Sequence, residues 1–173
     1  MSAALKADRE THISPERFSD ASKTMEHAMK SKLLHEADGK RTFAVILQTD
    51  DEAMRCLREF AEKEAIGGAQ VTAIGALRRA TLAYFDWETK AYQAIEVGEQ
   101  VEVASLVGDI AIGPDGKPSV HVHAVLGRRD GGAMAGHLEK AHVRPTLEII
   151  VTESPAHLCK VKDQESGLAL IKL

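Results

Sequence analysis

Three histidines in this chain have the type and spacing to hold one divalent ion. His121, Val122 and His123 lie in an apolar run that reads as a strand, where side chains alternate, so both imidazoles share a face while Val122 takes the other. By the usual rise per residue their backbones stand about 6.6 Å apart, close enough for both rings to converge. A glycine-rich connection, Gly127 to Gly136, then leads to His137, which returns beside the pair if the chain doubles back as a hairpin. Three imidazoles leave a fourth coordination position open. Neutral imidazole is a borderline ligand, so zinc is the expected ion, with other transition metals next. The plainer alternative is that these are ordinary polar residues on a strand and a turn, because a His-x-His pair alone is a weak signal.

Carboxylates and arginines near these motifs set what such a site could do. Glu102 and Glu148 sit within apolar strands, where a carboxylate is costly without a partner. Both are candidates to orient a ligand or serve as a base; Glu139 is a weaker one. Arg128 and Arg129 are candidates for contact with an anion. His142 lies an odd number of residues from His137, so in one continuous strand it faces the other side. The chain contains no nucleophile triad order, dinucleotide fingerprint or P-loop.

The elements that must position these residues follow from pattern. Arg41–Gln48 is apolar and β-branched and reads as a buried strand. Met54, Leu57, Phe60, Ala61 and Ala65 recur at helical spacing, with Thr49 or Asp50 as the N-cap, Asp51 and Glu52 in the first turn, and Gly67-Gly68 as the stop. Strands are expected at 70–74, 80–87, 92–97, 101–112, 119–126 and 146–152, with Gly113-Pro114-Asp115-Gly116 as a turn. Consecutive strands with short connections and one main helix give an α+β domain built on a mostly antiparallel sheet. Residues 1–38 are read as an N-terminal extension in which Met25–Leu34 forms a helix or an arm. Residues 39–155 are read as the domain, and 156–173 as a C-terminal extension docking on it.

With 173 residues, 44% hydrophobic and 28% charged, the chain has the make-up of one globular domain. Its formal charge of -4 argues against broad attraction to nucleic acid or anionic lipid. Two distant cysteines, Cys56 and Cys159, suggest no disulfide framework. The chain shows neither a signal sequence nor an apolar run of the roughly 20 residues that span a bilayer, so a cytoplasmic protein without membrane contact is expected.

Taken in order, the segments Glu102–Ile110, His121–Asp130, Ala135–Leu138 and Thr146–Val151 resemble the plants and prokaryotes conserved domain, PPC or DUF296, over about residues 40–155. Ala135 stands where that family usually has the first glycine of a Gly-Gly-His motif. The resemblance implies an antiparallel sheet flanked by helices and a homotrimer. It also implies metal binding through His121, His123 and His137 in some prokaryotic members. The family's description as DNA-binding rests largely on plant members with AT-hooks, and this chain has no Arg-Gly-Arg-Pro arm. Three functional expectations stand. The first is a trimeric module that binds DNA or protein and carries a metal. The second is a metal-dependent enzyme for a small anionic substrate, and the third a packing role for the histidines without metal.

Overall fold

The computed structural model describes residues 29–154 and 156–173. In chain order the elements are β1 (Lys30–Ala37), β2 (Lys40–Gln48), α1 (Ala53–Lys63), β3 (Gly68–Asp86), β4 (Ala91–Val97), β5 (Val101–Ile112), β6 (Pro118–Gly127), β7 (Ala133–Glu153), β8 (Cys159–Lys162) and β9 (Ala169–Lys172). All nine strands belong to one sheet. Its pairings are antiparallel except where Ile112 of β5 meets Cys159 of β8. The expectation of a sheet flanked by helices is corrected: among the described residues there is one helix.

Four strands close a circuit, since β3 pairs with β5, β5 with β6, β6 with β7 and β7 again with β3. Alternation decides what fills it. Val71, Val122, Ala124, Leu126, Leu147, Ile149 and Val151 are buried on the inner side, and their neighbours in sequence face outward. The helix α1 lays Met54, Leu57, Phe60 and Ala61 over this core, with Phe60 edge-on to Phe43 of β2 at 5.3 Å. Burial of each large side chain contributes about 1.5–3 kcal/mol.

The helix start differs from expectation. Asp51 is buried, and its carboxylate accepts from the Gln48 N–H at 2.8 Å, closing the turn. The cap passes to Glu52, which accepts from the N–H groups of Met54 and Arg55 at 3.1 and 2.9 Å. The same carboxylate accepts from the Ala141 N–H at 3.1 Å, which ties the helix to β7. The helix ends at Lys63, and Ala65, at φ 52°, takes the left-handed position expected of Gly67.

Two expected strands, 70–74 and 80–87, are one long strand, β3, whose register on its neighbours shifts at Gly75. There φ is 153°, and a Cβ would run into the Thr146 carbonyl of β7, so this crossing needs glycine. At the N-terminal side, residues 30–37 form a fully exposed strand paired with β2 rather than a helix, and Met25–Ala28 lie outside the described residues. The C-terminal hairpin of β8 and β9 attaches through backbone and through the buried Lys160 side chain. Leu158 accepts from Ile112 at 2.7 Å and donates to Gly67 at 3.0 Å, while Leu170 and Ile171 remain exposed.

Candidate metal centre

Because Val122 and Ala124 fill the interior, His121 and His123 stand on the outer face of β6. The connection to β7 is tight. Arg128 donates to Gly132 O at 2.7 Å, Asp130 accepts from the Gly132 N–H at 2.9 Å, and Gly131 adopts φ 84°. This hairpin sets His137 directly opposite His123. The ring centroids of His121, His123 and His137 lie 5.1 to 5.5 Å apart, and one potential ligand atom from each falls within 4.8 Å of the others. Tyr92 of β4 stacks on His137 at 4.9 Å and backs its ring.

Whether an ion fits can be judged from the donors. His137 Nδ1 is buried without a hydrogen-bond partner, a costly arrangement that a bound cation would relieve. Burial pushes the His137 imidazolium down to about 4, assisted by His121, His123 and Lys160. Burial, then His121, also lowers His123. Both rings are therefore neutral at pH 7, as metal ligation requires. The donor set fits a borderline divalent metal.

Two further side chains meet this cluster. Asp109 of β5 pairs directly across from His121, and its Oδ2 lies 3.4 Å from His121 Nδ1. Its Oδ1 lies 2.8 Å from the Nζ of Lys160, which β8 brings in and which is 5% exposed. Burial opposes the Asp109 charge, yet the contacts with His121 and Lys160 prevail and hold its carboxyl below the usual range. Beside Asp109, Gly108 lets β5 and β6 approach closely, because a Cβ there would run into the His121 carbonyl.

The sequence matches the Plants and Prokaryotes Conserved (PCC) domain over residues 34–155. The chain belongs to this family. Solved structures agree with that assignment. A metal-containing protein from Archaeoglobus fulgidus is 31% identical, with a TM-score of 0.71, over 84% of this chain and 99% of that one. A plant- and prokaryote-conserved protein from Pyrococcus horikoshii is 28% identical at 0.72, over 84% and 95%. A candidate DNA-binding protein from Bacteroides thetaiotaomicron is 26% identical at 0.75, over 83% and 96%. No curated protein sequence matches the chain. Among the described residues no helix is long and apolar enough to cross a membrane.

Within this PCC domain the other expected site residues stand apart from the histidines. Glu102 pairs with Gly127, five residues along β5 from the Val107 that faces His123, or about 16 Å. Arg128 and Arg129 lie at that same end, and with Glu102 they line a separate cleft of about 410 Å³. Arg128 is engaged by Glu99 at 2.8 Å. Glu148 is exposed on β7 between Ile46 of β2 and Ile74 of β3, eleven residues along the strand from His137. His142 meets Arg79 instead, Nε2 to guanidinium at 3.3 Å.

The residues that sequence reasoning missed, Asp109, Lys160 and Tyr92, carry different signals. Asp109 satisfied the criterion that selected Glu102, a carboxylate in an apolar strand. Only the register of β5 on β6 shows which of the two faces the histidines. Lys160 and Tyr92 had no local signal.

Proposed function

We propose that this PCC protein is a cytoplasmic, homotrimeric binding module that holds a divalent transition metal, zinc first, through His121, His123 and His137. The observation that carries the reading is the convergence of three imidazoles around the buried, unpartnered His137 Nδ1. An ion held there supplies a Lewis-acid position with one coordination place left for a ligand. The protein's own share is to keep His123 and His137 neutral through burial and to orient the three imidazoles from two paired strands. Likeness to the metal-containing Archaeoglobus protein supports the ion.

The outer face around the site supports assembly. His123 continues across the sheet through Val107, Thr72 and Ile150, and Ile74 follows beside them. Val107, Ile74 and Ile150 are 51%, 61% and 40% exposed, an apolar strip suited to burial against further copies. Likeness to the Bacteroides protein makes DNA the first partner to test, and the formal charge of -4 predicts weak, salt-sensitive binding. The enzymatic reading loses its proposed anion contacts, because Arg128 and Arg129 lie away from the histidines.

Elemental mass spectrometry of tag-free protein and of His123→Ala, purified identically, tests the site. About one transition metal per chain, lost in the variant, is the expected result. Equal metal in both rejects the assignment. Sedimentation velocity on the same samples tests the trimer.

A further inference from the structure

The geometry points to Asp109 as the positioning residue of the metal centre, fixing His121 so that Nε2 is its ligand atom, with Lys160 of the C-terminal hairpin as the counter-ion of that carboxylate. This inference rests on the metal-holding reading above and assigns how the site is built.

Asp109 and His121 are directly paired on adjacent antiparallel strands and share the outer face, so the carboxylate reaches only the near edge of the ring. That edge carries Nδ1, 3.4 Å from Oδ2. A carboxylate accepts and cannot donate, so it selects the tautomer with the proton on Nδ1 and leaves Nε2 free to ligate. Close approach at Gly108 holds the two strands at this spacing.

The other carboxylate oxygen is buried and lies 2.8 Å from Lys160 Nζ. That contact is an ion pair; Lys160 donates to the Ser119 carbonyl of β6 at 3.4 Å, so its ammonium is anchored to the strand that bears two of the histidines. A buried ammonium beside a dication is unfavourable unless a negative charge lies between them, and Asp109 is placed to provide it. Lys160 lies beyond the 34–155 span of the family match, so a residue outside that span completes the charge balance of the site.

The test uses the full chain and zinc alone. Zinc affinity is measured by competition with a chromophoric chelator for the unaltered protein, Asp109→Asn, Lys160→Met and the double variant. Asp109→Asn should bind about 10- to 100-fold more weakly, the usual effect of removing such an orienting partner. In the double variant the unpaired ammonium is gone, so affinity should recover part of the Asp109→Asn loss, and the remainder reports the lost orientation of His121. Lys160→Met alone should bind no more weakly than the unaltered protein.

Long-range proton–nitrogen spectra of the zinc-loaded, unaltered chain supply a readout that does not depend on variants folding. They should show the His121 proton on Nδ1 and zinc on Nε2. Ligation through Nδ1, or unchanged affinity in Asp109→Asn, overturns this inference while leaving the three-histidine site intact. Failure of the unaltered chain to bind zinc overturns both.

Discussion

The two halves of β7 behave differently. From Thr146 to Thr152 the strand alternates cleanly, with Leu147, Ile149 and Val151 buried between β2 and β3 and Glu148 and Ile150 exposed. From Ala133 to Pro145 it has no pairing with β2; Ala133–His137 pair with β6, and the register on β3 is irregular between Gly75 and Leu77, between Leu77 and Arg79 and between Thr81 and Leu82. Both halves contribute to the core, Leu138, Ala141 and Val143 from the irregular one, but only the irregular half turns toward β6 and carries His137. A strand can thus separate stability from chemistry along its length, because shifting register re-aims side chains without breaking the ladder.

If that separation is real, the halves should respond to mutation independently. Ile149→Ala, at a fully buried site, should lower stability by about 2–5 kcal/mol in denaturant titration while zinc per chain stays constant. Loss of zinc from the folded variant would break the comparison.

Gly108→Ala reaches the other region through β5. Its Cβ would meet the His121 carbonyl and Val122, so overpacking should cost about 1–3 kcal/mol and also weaken zinc binding by displacing His121. Gly98→Ala, where nothing lies within 4 Å of the added atom, should leave zinc binding unaltered and serves as the control.

The smallest effect is acid sensitivity of the metal-free protein. His137 has its folded pKa depressed to about 4, so unfolded chains bind more protons between about pH 6.5 and 4. Stability is therefore greatest above pH 6.5 and falls as pH drops toward 4. Because His137 is only partly buried, solvent screening reduces this to about 1–2 kcal/mol. Denaturant midpoints in chelator at pH 7.5 and 5 would show it. His137→Gln should flatten the slope, and an unchanged slope would assign the sensitivity to other groups.

Much of the site was legible from local pattern. Alternation places His121 and His123 on one face, and the glycine-rich connection permits the reversal that sets His137 opposite. The choice of carboxylate was not legible. Glu102 and Asp109 lie in the same strand, and an irregularity between Val103 and Ser105 shifts the register of β5 on β6, so that both face outward despite their odd spacing. No local pattern reports where such a shift falls.

The sequence by itself determined what is local: strand periodicity, the amphipathic face of α1, and the outward histidine pair. These follow from fixed backbone repeats acting on side-chain type. Only the tertiary structure decided which distant groups meet them. Closure of β3, β5, β6 and β7 into a circuit placed Asp109 against His121, and docking of β8 brought in Lys160. Those encounters depend on strand register and on burial summed over the whole core, which no short window of residues contains.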